Sequence, residues 1–319
     1  MLGVAAGIGL ETKYTLAVVL VLLTVGFLIW HRALLRSTGL AAALVLAGLL
    51  LVPNLLWEAA HGWTSVHFFL HPPPSATQES RLQYIANLLL LTHPVAVPVA
   101  VAGIVALVRE RALRPLGCAV VATVIAYFAL GGKSYYALPA VLFALAAGAV
   151  PFERWATVGR LRRVGIAFVV VLIVALPIGL PVLPLHIANR VGVTAARSDY
   201  KDEVGWPALA HQVERLSHGA NVVLALNYGE AGALEVFGHN LPPVASGHVT
   251  FRYWRPRVNG RDALLVGFTR EDARFCRGYR VVGRVAMPVD NEERGRPLAR
   301  CTLGSDLASL WPQIVEASR

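Results

Sequence analysis

From residue 15 to about residue 185 the chain alternates long apolar runs with short polar joints. The runs fall at about 15–30, 38–57, 82–108, 116–131, 137–151 and 164–185. A helix needs about 20 apolar residues to cross a bilayer core, so each run reads as a spanning helix with soft ends. Ahead of them, MLGVAAGIGL (1–10) is apolar but half a span long and lacks the basic start of a signal peptide. It reads as the end of a helix whose beginning is missing. Past residue 186 charges recur every few positions, and NVVLAL (221–226), ALLVGF (263–268) and YRVVGRVAM (279–287) have the length of buried strands. Helices are expected at about 206–217, along NYGEAGALEVFG (227–238) and at about 306–315. The pattern predicts a mainly α polytopic membrane protein: a helical domain over 1–185, with the N-terminal stub and about six spans, and a small α/β domain over 186–319.

Composition agrees. Of 319 residues 56% are hydrophobic and 15% charged, against about 25% charged in soluble domains. Mean hydropathy is +0.57. The net charge of +10 is uneven. Residues 1–185 hold 12 Lys and Arg against 5 acids, while 186–319 hold 17 against 14. The excess sits in HRALLRS (31–37), RERALRP (109–115) and ERWATVGRLRR (153–163), which alternate with joints of low charge at 11–14, 58–81 and 132–136. The positive-inside rule makes the basic loops cytoplasmic and puts the C-terminal domain outside the cytoplasm, on an inner or plasma membrane protein. No basic stripe with interleaved aromatics runs along the tail, so nucleic acid is not a partner. Cys118 lies in an apolar run. Cys276 and Cys301 share the tail, where an oxidising compartment permits a disulfide, and their pairing stays open at this point.

Orientation sorts the polar groups by side. Lys13, Glu58, His61, His67, Lys133, Tyr135 and Tyr136 all fall at outer helix ends, whereas the cytoplasmic loops carry plain arginines. Singly, the lysines read as snorkelling side chains and Tyr135, Tyr136, Trp57 and Trp63 as interfacial anchors. His61 and His67 lack the i, i+4 spacing of a helical metal pair, so no metal site or other cofactor is assigned, and dependence on a divalent metal is left open. Together the residues suit an anionic lipid headgroup: two ammonium groups to compensate a phosphate and tyrosine hydroxyls to donate to its oxygens. A polyprenyl-phosphate-linked sugar has that chemistry. In the tail, Asn227, Tyr228 and Glu230 follow a strand and open a helix, where α/β folds bind ligands. Glu230 there either complements the helix dipole or meets an acceptor. His248 of SGH (246–248) and the aromatics of FRYW (251–254) add groups suited to sugar contact. No GxGxxG fingerprint is present, so no nucleotide is expected.

ETKYT (11–15), VPNLLWEAAHGWTSVHFF (52–69) and GKSYYALPAVLFALAAGA (132–149) resemble the membrane half of bacterial family 39 glycosyltransferases. That is the protein O-mannosyltransferase and aminoarabinose-transferase-like group with the GT-C fold. DEVGWPALAHQVERL (202–216), NYGEAGALEVFGHNLPPVASGH (227–248) and VDNEERGRPLARC (289–301) are similar to the extracytoplasmic domain of many members. The resemblance implies inverting transfer of a sugar from a polyprenyl-phosphate donor to an extracytoplasmic protein, lipid or glycan. It matches Lys13 and the trio Lys133, Tyr135 and Tyr136 to the donor-facing segments. The family's acid/base is an Asp in a first outer loop, and here no Asp precedes Asp199. The chain alone is therefore expected not to turn over. Glu58 is the one candidate substitute, since Glu11 is expected to pair with Lys13 and Glu79 sits in the HPPPSATQES linker. The alternative function is a non-catalytic membrane protein whose tail binds envelope glycan. A transporter is set aside because no span shows a central acid or a broken-helix pair.

Overall fold

The computed structural model describes residues 1–70, 79–157, 161–176, 180, 182–196 and 199–318. The HPPP stretch and part of the run 164–185 lie outside the described residues. The chain divides into two compact units, Met1–Pro184 and Leu185–Arg319.

The first unit is helical: α1 (Leu2–Thr12), α2 (Leu16–Trp30), α3 (Thr38–Ala60), α4 (Thr64–Leu70), α5 (Arg81–Thr92), α6 (Val97–Arg109), α7 (Arg114–Leu130), α8 (Leu138–Ala156) and α9 (Leu161–Val174). Small residues make its contacts. Gly3 and Gly7 of α1 lie against Ala43 and Ala47 of α3, and Gly103 of α6 against Ala144 and Gly148 of α8. A Cβ on Gly103 would stand 1.9 Å from the Ala144 carbonyl oxygen, so these backbones touch. Large apolar side chains such as Leu44, Leu49, Leu56 and Val101 are exposed instead. Small residues inside and large apolar ones outside is how helices pack in lipid.

Among the described residues α3 and α8 are long and apolar enough to cross a membrane, and α5–α6 makes a third if the bent pair is one span. The apolar helices α1, α2 and α7 are shorter. The expected straight span over 82–108 is corrected: α5 and α6 meet at an 80° bend. His93 sits there at φ +69, with both ring nitrogens buried and without a hydrogen-bond partner. Pro94 and Pro98 explain the break, because each removes a helix donor and Pro94 drives His93 out of helical geometry. Hydropathy runs unbroken through this stretch, which hid the bend. The statement that no broken pair exists, one of two grounds for setting a transporter aside, falls with it.

The second unit begins with short helical turns at Leu185–Arg190, Val193–Ala196 and Asp199–Asp202. It is built on α10 (Trp206–Leu216), β1 (Val222–Ala225), α11 (Tyr228–Phe237), β2 (Val244–Ala245), β3 (Asp262–Val266), β4 (Cys276–Arg284), β5 (Pro297–Leu303) and α12 (Leu307–Ala317). The sheet runs β2-β1-β3-β5-β4. The β1 strand is parallel to β2 and β3, and β5 is antiparallel to β3 and β4. Strand period 2 splits the core. Val223, Ala225, Leu264 and Val266 pack under α10 and α11, while Val222, Leu224, Ala263 and Leu265 pack under α12. The α/β expectation is met, with β2 and β5 added. The β2 strand is two residues long, and β5 opens on proline and carries Arg300, so neither shows an apolar run. Cys276 and Cys301 are disulfide-bonded, tying β4 to β5, and Cys118 is free.

Candidate functional site

The turn between α7 and α8 is held from below by an acid that sequence reading left in a linker. The Glu79 carboxylate accepts from the Ser134 amide (2.9 Å), the Ser134 hydroxyl (3.1 Å) and the Asn87 side chain (3.2 Å). Arg81 donates to the Ala129 carbonyl (2.9 Å) beside it. Ser134 is buried, and the next two residues stand up as an edge-to-face pair, Tyr135 on Tyr136, with Tyr127 behind (5.5 Å). Lys13 reaches this pair across about 120 residues of sequence. Its ammonium lies 4.4 Å from the Tyr135 ring centre and 4.8 Å from that of Tyr136. Such cation–π contacts hold a charge without neutralising it.

Partial burial, and then the positive charge of Lys133, hold the Lys13 ammonium below the usual lysine range. Among the described residues neither lysine makes an ion pair. The expected Glu11–Lys13 pair is not formed; Glu11 accepts instead from Asn54 (3.1 Å). The result is one ammonium on a tyrosine platform with a second, that of Lys133, close enough to act on it, an arrangement that attracts an anion.

Glu58 and His61, the latter a candidate acceptor or sugar contact from its place in the sequence, both lie at the end of α3. Glu58 is buried and accepts from both the amide (3.1 Å) and the hydroxyl of Ser65, which closes the turn after α3. The outward-facing acid expected there is thus corrected to a loop anchor. His61 follows the last turn of α3, its Nδ1 2.7 Å from the Trp57 carbonyl and its ring stacked on Trp57 at 4.2 Å.

In the second unit, Asn227 caps α11: its Oδ1 accepts from the Glu230 amide (2.8 Å), and Glu230 Oε2 accepts from the amides of Leu226 (2.9 Å) and Asn227 (3.2 Å). This capping box turns Glu230 inward. It is fully buried, so its expected role as a sugar contact is corrected: the carboxyl fastens β1 to α11. Glu293, which sequence reading did not single out, completes the group. It accepts from Asn227 Nδ2 (2.9 Å) and lies 3.2 Å from Arg296 Nε, with its charge close enough to act on Glu230. Burial, and then this second carboxyl, push the Glu230 carboxyl well above the usual range.

Tyr228 and His248 form the accessible part. Their rings stack at 5.2 Å, and the Tyr228 amide donates to His248 Nδ1 (3.3 Å). Burial pushes the His248 imidazole below its usual value. Tyr228 remains exposed. The position, beyond the C-terminal ends of parallel strands β1 and β2, is where α/β sheets bind ligands, and a stacked aromatic face fits a sugar ring. No family model matches the chain, and no curated protein or solved structure matches it either.

Proposed function

We propose that this protein is a membrane glycosyltransferase that handles a polyprenyl-phosphate-linked sugar, with the donor phosphate held by Lys13, Lys133, Tyr135 and Tyr136. The observation that carries the reading is the Lys13 ammonium lying over both tyrosine rings while, among the described residues, neither it nor Lys133 pairs with an acid. The resemblance of ETKYT and GKSYYALP to family 39 donor segments supports it. In this proposal six helices span the membrane, the basic loops face the cytoplasm, and the C-terminal unit meets the acceptor outside at Tyr228, Asn227 and His248. The disulfide in that unit suits such a compartment.

The three acids on the outer face, Glu11, Glu58 and Glu79, already accept hydrogen bonds within the unit. General-base help contributes about 10²–10⁴-fold to such a transfer. We therefore expect the chain 1–319 to bind donor lipid and not to transfer sugar unaided. The test is equilibrium binding of polyprenyl phosphate to purified protein, run beside a transfer assay with radiolabelled donor. Lys133→Ala removes a charge-assisted contact of about 1.5–3 kcal/mol, so affinity is expected to fall by about one to two decades. Undiminished binding in a folded variant defeats the donor-site reading. Robust transfer lost in Glu58→Gln defeats the assignment of Glu58 as a loop anchor.

The non-catalytic alternative is favoured by one observation, the aromatic stack at Tyr228 and His248. It is separated by glycan binding that survives Lys133→Ala and disappears in Tyr228→Ala.

A further inference from the structure

A like-charge cluster in the second unit has no use in the reading above and does not depend on it. Arg280 of β4 and Arg300 of β5 stand directly opposite each other, and Arg277 stands opposite Thr302, itself opposite Asp262 of β3. Residues three apart in a regular strand point to opposite faces. Between Arg277 and Arg280, however, the register shifts at Gly278, which takes φ +66. A bulge of this kind re-aims side chains. Here it brings Arg277 and Arg280 into the lining of one open cleft of about 390 Å³, together with Arg300, Asp262, Thr302 and the Gly219 turn.

The charges do not cancel. Arg300 is fixed by the carbonyl oxygens of Leu216 (3.0 Å) and His218 at the end of α10, which orients its guanidinium. Among the described residues no carboxylate pairs with Arg277 or Arg280. Asp262, the cleft's one acid, accepts from the Thr302 hydroxyl (3.1 Å). Like charges placed opposite each other across strands destabilise a sheet. Three guanidiniums against one carboxylate leave an excess of two positive charges, which an anion of charge near −2 would offset. A phosphate monoester carries about that charge at neutral pH and offers the oxygen geometry that arginine forks match. The volume is in the range of small-molecule sites.

We propose that the cleft of Arg277, Arg280 and Arg300 is a binding site for a phosphate monoester, borne either by a soluble sugar phosphate or by a lipid headgroup. The test is titration of the full chain in neutral detergent with glucose 6-phosphate, with glucose as control, and sedimentation with phosphatidylcholine vesicles with and without phosphatidic acid. Saturable binding of the phosphorylated probe and not of glucose is expected. Arg277→Gln and Arg280→Gln should each weaken it about tenfold or more. Lys133→Ala, in the other unit, should leave it unchanged, which separates this cleft from the donor site. Binding of glucose 6-phosphate assigns a soluble ligand; capture only by phosphatidic-acid vesicles, lost in the arginine variants, assigns a lipid. Absence of both, or affinity undiminished in the Arg277→Gln/Arg280→Gln double variant, overturns the proposal. Both arginines are exposed and lie outside the core, so the variants are expected to keep the fold.

Discussion

At Glu230 the chain places an ionisable group where water does not reach it. Its carboxyl in the folded protein titrates well above the usual value of 4.5, chiefly through burial and then through Glu293. Below the usual value it is protonated in folded and unfolded chains alike, and its stabilising contribution is complete. As pH rises toward the folded value, the unfolded chain ionises first and that contribution is lost. The second unit should therefore lose stability on the alkaline side, and Glu230→Gln, which mimics the protonated form, should flatten the slope. Hydrogen exchange of residues 222–237 in the full chain, corrected for intrinsic rates, reads this directly; equal slopes in both proteins would refute it. Residues of this kind were only half readable in the sequence. Asn227 and Tyr228 stand at a strand–turn–helix junction whose signals are local, and His248 drew notice only by its side chain. Glu293 and Glu79 were not found, since their partners Asn227 and Ser134 lie 66 and 55 residues away and both acids stand in polar stretches that read as solvated.

Elements in the first unit are fitted by their smallest residues. A Cβ on Gly148 would stand 2.0 Å from the Val99 carbonyl oxygen, so Gly148→Leu must drive α6 and α8 apart. Overpacking usually costs about 1–3 kcal/mol, and a backbone clash puts this variant at or above the upper end. A lowered melting temperature in detergent is the readout, and wild-type melting would show that the contact is not made. The bend at His93 predicts the opposite sign. Its positive φ is costly for a residue with a side chain, of order 1–3 kcal/mol. His93→Gly should keep the 80° break and raise stability by about 1 kcal/mol, measured as a higher melting point; a drop would mean that the imidazole contributes more than the strain costs. Helix positions were readable because apolar runs are long. Helix lengths and the break were not, because hydropathy averages over proline.

For the whole molecule, charge asymmetry between loops predicts that the second unit lies outside the cytoplasm. Cysteines introduced at exposed Asn240 and at Arg111, in a Cys118→Ser background, should react with an impermeant reagent in intact cells at 240 only. The reverse pattern would invert the orientation and the outer-face site with it. The division near residue 185 was readable from a change in charge density alone, whereas the order of strands was not, since pairing over distance leaves no periodic trace. That order has a consequence in time. The β5 strand lies between β3 and β4 although it is made after both. Until residues 297–303 are synthesised, β4 has no neighbour to join, and its arginines wait on an unclosed flap. Synthesis at about 5–20 residues per second makes that wait last a second or more. The sheet is then completed by the threading of one late segment into a gap, sealed by Cys276 and Cys301, before α12 covers its face. A chain cut just before Pro297 would lack α12 as well as β5, and would leave β4 a sticky, protease-sensitive ribbon.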